Sequence, residues 1–173
     1  KSMPVMLVAV QLLLLVLLVR TLRSERLAWS AIGWRPGPGQ VLWREVLIGV
    51  IPGAVLAILY FTVLSPALTW LQHNVGDYVP AGELTGALGA ALVPFFLANV
   101  LLAPFVEESL YRGYAFGKLE ERYGLPLAVM ISCAFFGLLH WAGGFWYILL
   151  TGVVAGGLFA GLRAWRRTLT APF

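Results

Sequence analysis

Two carboxylates and a guanidinium stand together in this chain. Glu107, Glu108 and Arg112 open the stretch "EESLYRG", directly after residues 84–106, which carry no charge. Helical spacing divides their labour. Glu108 and Arg112 are four apart and can pair on one face, where a bidentate contact holds Glu108 ionised and fixed. Glu107 points about 100° away and is free for another task. Tyr111, one turn beyond Glu107, can orient it or contact a ligand. Further on, Phe136 and His140 share one helix face, with Cys133 on the same face. A carboxylate in an apolar cavity can take a proton from water near neutral pH, and an imidazole can donate to an oxyanion or protonate a leaving amine. Glu107 is therefore read as a candidate general base and His140 as its electrophilic or acid partner.

The elements that must position these groups are membrane helices. Of the 173 residues, 60% are hydrophobic and 12% charged, where a soluble domain has about 25% charged residues. The long apolar runs fit helices rather than the alternating strands of a barrel. The expected fold is an all-α, polytopic transmembrane bundle of about five spans: Pro4 to Val19, Glu45 to Leu64, and regions starting near Leu84, Pro126 and Phe145. The chain divides into a first helix with its basic end (1–26), an interfacial connector (27–44) and a core (45–173). Trp29, Trp34 and Trp43 suit the headgroup layer. Residues 65 to 84, with His73, Asp77 and Glu83, read as a polar outer connector. Arginine and lysine cluster in alternate connections, which places those in the cytoplasm and the N-terminus outside. The net charge of +4 follows this topology and implies no nucleic-acid partner. Cys133 is the one cysteine, which excludes an internal disulfide and a thiolate cluster. Glycines at 152, 156, 157 and 161 suit close helix packing.

Depth links the two motifs. The first strong break after Glu107 is "YGLP", residues 123 to 126, where Gly124 suits a helix end and Pro126 a first turn. If this break is a hairpin tip, Glu107 lies 16 residues before Tyr123 and His140 16 residues after Gly124, each about 24 Å from the tip. That depth is inside the hydrocarbon, and Pro94 or Pro104 must then break or kink the long third region. Taken singly, His140 reads as well as a packing residue, and Glu107 to Arg112 as a solvated segment with Glu120 and Glu121. Their matched depth favours function.

"EESLYRG" and "FGLLH" resemble the E-E-x-x-x-R-G and F-x-x-x-H motifs of the CPBP intramembrane proteases, the family of the CAAX prenyl-proteases and of bacteriocin-immunity (Abi-type) relatives. "IGWRPGPGQ" resembles the approach to the helix preceding that family's core, so the resemblance runs from Ile32 to Phe173. It implies a catalytic role for Glu107 and His140 and a supporting role for Glu108 and Arg112. It also implies a further core helix with H-x-x-x-N or H-x-x-x-D, expected where the sequence reads "TLTAPF". The implied activity is an intramembrane endopeptidase of glutamate type in a bacterial plasma membrane. Its partners are membrane lipid and a peptide or protein with a membrane-embedded or lipidated segment. No cofactor is expected, and there is no HExxH. Glu107 and His140 fall short of the three ligands of a catalytic zinc, which the further histidine can complete. The alternatives are a zinc-dependent intramembrane protease and a non-catalytic binding, immunity or scaffold protein.

Overall fold

A computed structural model describes residues 3–35, 39–76 and 96–173, and every regular element among them is helical. Five helices follow in order: α1 (Met3–Ser24), α2 (Leu42–Gly76), α3 (98–123), α4 (Leu125–Leu139) and α5 (Phe145–Arg166). A 3-10 turn, Trp141–Gly143, joins α4 to α5.

Two helices, α2 with 35 residues and α5 with 22, are long and apolar enough to cross a membrane. Val50, Ile51, Ile58 and Phe61 of α2 are each more than half exposed, a face suited to lipid rather than water. This is an integral membrane protein. Among the described residues these two helices meet that test of length and composition. The 15 residues of α4 reach about 22 Å against about 30 Å of hydrocarbon. In α3 the apolar run is interrupted by the charges at 107, 108 and 112. The start of the third region near Leu84, Pro94, and the polar positions Asp77 and Glu83 lie outside the described residues.

Helix α2 does not stop near Leu64. It runs to Gly76, so His73 is on a helix rather than in a loop. Pro66 is accommodated by the π-helical turn Tyr60–Leu64 just before it. A wider turn relieves the clash between a proline ring and the carbonyl four residues back. Pro104 is met in the same way: the π-helical turn Ala98–Leu102 precedes it and α3 continues without a break. The helix ends at Tyr123, where Gly124 adopts φ +78° and Pro126 sits in the first turn of α4. The left-handed φ favours glycine at that bend.

The hairpin of α3 and α4 is backed by α5. Phe116, Ala128 and Ala160 are fully buried where the three meet. Further along, α4 and α5 cross at glycines. A Cβ on Gly137 would lie 2.5 Å from the Ile148 carbonyl oxygen, and one on Gly152 would lie 2.8 Å from that of Cys133. Gly156 also faces Cys133, whereas Gly157 and Gly161 have nothing within 4 Å. Only the first of the two glycine pairs read from the sequence therefore makes the close crossing. Replacing Gly137 by Leu is expected to cost about 1–3 kcal/mol by overpacking. Gly161→Ala, in open space, is expected to be neutral or stabilising. Unfolding of both variants in mixed detergent micelles measures the contrast.

One end of the bundle is stitched by ion pairs. Lys118 meets Glu25 at 2.7 Å, which also accepts from the Tyr114 hydroxyl. Arg167 meets Glu120, so that acid is paired and not simply solvated. Arg166 at the end of α5 bonds Glu45, a fully buried carboxylate in the first turn of α2. The connector after α1 folds inward rather than lying flat. Ile32 is buried with Leu18 and Leu22 of α1, and Gly33, at φ +105°, accepts from Leu169 N at 2.9 Å. Residues 168–173 thus lie against this connector and against α2, where a Cβ on Gly49 would collide with the Ala171 carbonyl.

Candidate functional site

The charged stretch of α3 lies inside the protein. Glu108, Ser109 and Arg112 are buried, with Arg112 at 0% exposure. All three fall in the π-helical stretch Glu108–Ala115. Arg112 Nη1 lies 3.0 Å from Glu108 Oε1 across one turn. Its guanidinium also sits 4.0 Å over the ring of Phe136 on α4 and 5.5 Å from that of Phe159 on α5. A cation over an aromatic face is stabilised by the ring quadrupole, most strongly when desolvated. Arg163 of α5 donates Nε–H to the Arg112 backbone carbonyl at 2.9 Å. Three helices thus converge on one arginine.

Glu107 faces a cavity of about 750 Å³ between α2 and α3. Phe136 and Phe159 line it from the bundle, Gly49 and Gly53 from α2, and Ala171 and Phe173 from the last residues. The Glu107 carboxylate interacts electrostatically with His140 and with Arg112. Tyr111, half-buried, interacts electrostatically with Glu107 and Arg112.

His140 caps α4. Its Nδ1 lies 2.8 Å from the Phe136 carbonyl oxygen, and its ring contacts Phe136 at 4.8 Å and Tyr147 at 5.9 Å between centroids. A carbonyl only accepts, so this bond requires the proton on Nδ1 and leaves Nε2 as the working nitrogen. Phe136 therefore serves both motifs. Its ring holds Arg112, and its carbonyl fixes the imidazole. Cys133 packs against Gly156.

A second, more apolar cavity of about 330 Å³ lies beside the first, lined by Tyr60, Phe61, Tyr147 and Thr151. Gly53 and Phe159 belong to both cavities and form the boundary between them.

Residues 89–173 match the family model of type II CAAX prenyl endopeptidases, Rce1-like. The matched part covers α3, α4 and α5, and hence Glu107, Glu108, Arg112, Phe136 and His140. The similarity is to a family of membrane-associated proteases. No curated protein and no solved structure matches the chain.

Several contributors to the site carry no motif. Gln11 of α1 donates Nε2–H to Glu107 Oε1 at 3.0 Å, across 96 residues of sequence. Trp34 turns inward and is less exposed than Trp29 and Trp43. It packs on Phe105 at 5.0 Å and donates to the buried Ser109 hydroxyl at 2.8 Å. Phe159 and Arg163 reach Arg112 from α5. A polar residue in the middle of an apolar helix was the one available signal for Gln11. Trp34 stands in "IGWRPGPGQ", which marks the connector but not this contact, and Phe159 and Arg163 had no signal.

Glu107 and His140 are two candidate metal ligands, where a catalytic zinc takes three from the protein. Among the described residues no group of three His, Cys, Asp or Glu side chains comes together. The described residues do not by themselves fit a catalytic zinc site.

Proposed function

We propose that this chain is an intramembrane endopeptidase that cleaves membrane-embedded or lipidated peptide segments with glutamate-activated water. The observation that carries the reading is Glu107 on a cavity within an apolar bundle, which Phe136 also lines while its carbonyl holds the His140 ring at 2.8 Å. The similarity of residues 89–173 to the Rce1-like family supports it. In the proposed reaction, the Glu107 carboxylate takes a proton from water while the water oxygen adds to the scissile carbonyl carbon. The carbonyl electrons move to its oxygen, and an imidazolium at His140 donates to that oxyanion. Collapse of the tetrahedral species breaks the C–N bond, and the proton on Glu107 passes to the departing amine. Glu108 and Arg112 hold the frame, and Tyr111 borders the reacting carboxylate.

The topology goes with the reaction. Residues 45–173 form the catalytic core, 1–26 the first helix and 27–44 the connector. About five helices lie in a bacterial plasma membrane, the basic connections in the cytoplasm and the N-terminus outside. The apolar cavity beside α2 adjoins the Glu107 cavity and suits the hydrocarbon part of a substrate.

The deciding experiment is peptide turnover by the protein in proteoliposomes, with a membrane-embedded peptide as substrate. Turnover is expected to persist in excess chelator, because neither named step uses a metal. Loss in chelator with stoichiometric rescue by zinc overturns the glutamate mechanism. The absence of turnover from a folded protein leaves the binding or scaffold reading in its place.

A further inference from the structure

Helix α1 has one side chain with a hydrogen-bonding polar group between Pro4 and Val19, and it is Gln11. It shares a face with Leu18 and Leu22, the residues that pack α1 onto the connector and α3. It is 5% exposed, about 20 Å from the end of the helix at Ser24. Leucine at this position would bury equally well without placing an amide in an apolar layer. The amide instead reaches Glu107 Oε1 at 3.0 Å. Its own Oε1 is buried and has no hydrogen-bond partner among the described residues. An amide with one half used and the other enclosed and unused needs a physical reason.

We infer that Gln11 is a positioning residue for Glu107, whose amide serves both protonation states of that carboxyl by turning over. This rests on the reading of Glu107 as the base. A general base alternates between carboxylate, which only accepts, and carboxylic acid, which also donates. The NH2 half of Gln11 matches the first state. Rotation of the amide by 180° presents the now unpartnered Oε1 to the O–H of the second. The carboxyl is thereby held in one orientation through the cycle, with no water needed to follow its charge. Gln11 lies outside the family-matched residues, so α1 completes a site whose motifs lie on α3 and α4.

The test uses Gln11→Met, which keeps length and apolar volume and removes both amide functions. One charge-assisted hydrogen bond is worth about 1.5–3 kcal/mol, so kcat is expected to fall about 10- to 100-fold. KM is expected to stay within about twofold, because the lost contact acts on the reacting carboxyl and not on bound peptide. Unchanged kcat overturns the inference, as does a rise in KM alone. A role only as interhelical glue predicts lowered stability with unchanged kcat, and that outcome overturns it too. A second readout needs no turnover. The chain has 8 acidic side chains, so the infrared bands of Glu107 can be assigned by difference against Glu107→Gln. In Gln11→Met both the carboxylate band at high pH and the carbonyl band at low pH are expected to move. If only the carboxylate band moves, the amide does not turn over. If neither moves, Gln11 does not hold Glu107. Should the parent protein cleave no peptide, the protease reading fails, while the infrared experiment still decides the role of Gln11.

Discussion

Glu107→Gln is expected to lower peptide turnover by about 10²–10⁴-fold, the usual worth of a positioned general base, while leaving the fold intact. The substitution keeps the shape of the side chain. The amide that replaces the carboxylate still offers an oxygen to the Gln11 donor, so the contact at 3.0 Å between α1 and α3 can persist. What disappears is the basic oxygen pair. His140→Ala is expected to cost about 10²–10³-fold, the usual worth of one oxyanion donor. It removes the ring that bonds the Phe136 carbonyl at 2.8 Å, and the end of α4 remains anchored through the crossing of Gly137 with Gly152. If both variants keep near-parental rates on a membrane-embedded peptide in proteoliposomes, the assignment of base and partner is wrong. The two losses are expected not to multiply in the double variant, because residues acting on one transition state are not additive.

Arg112→Met is expected to destabilise the protein by about 3–5 kcal/mol, a large share of a typical folding free energy. The guanidinium is at 0% exposure, and Glu108 beside it is at 3%. Removing the cation leaves a carboxylate in an apolar interior with no counter-charge within ion-pair distance among the described residues. It also removes the cation from over Phe136 at 4.0 Å. The double variant Glu108→Leu/Arg112→Met is expected to recover most of the lost stability, since a buried pair replaced by apolar groups is often neutral. It is expected not to recover turnover. Phe136 supplies the carbonyl that fixes His140, and its ring loses the guanidinium on which it rests. Detergent-titrated unfolding and proteoliposome turnover, measured on the same three proteins, separate these outcomes. An Arg112→Met protein as stable as its parent overturns the structural role of the pair, and a double variant with parental turnover overturns its role in the site.

Local rules reached part of this site. The four-residue spacing of Glu108 and Arg112 was enough to pair them. The glycine and proline of "YGLP" were enough to place the bend between α3 and α4. Where the prediction missed, the cause was non-local. Pro66 looked like a connector residue and is absorbed by a π-helical turn, which has no sequence signature strong enough to read. The connector around Trp34 looked interfacial because tryptophan and arginine suit the headgroup layer. The ring turns inward because Ser109 offers it a partner and Phe105 a surface. Gly157 and Gly161 have the same spacing as Gly152 and Gly156, yet only the latter pair faces α4. The difference is the angle at which α5 presents itself, and spacing alone is silent on it.

Composition, hydrophobic run length and the positions of glycine and proline determined that this protein is helical and lives in lipid. They also determined that its acids and its distal histidine stand at one distance from one bend. Those properties depend on the chain's own rise and on the cost of charge in hydrocarbon, which act within a single segment. The tertiary structure alone decided that Gln11 of α1 reaches Glu107, that Phe159 and Arg163 of α5 close around Arg112, and that residues 170–173 border the cavity. Those contacts depend on which faces of distant helices meet, a matter of packing between segments that no short window of residues encodes.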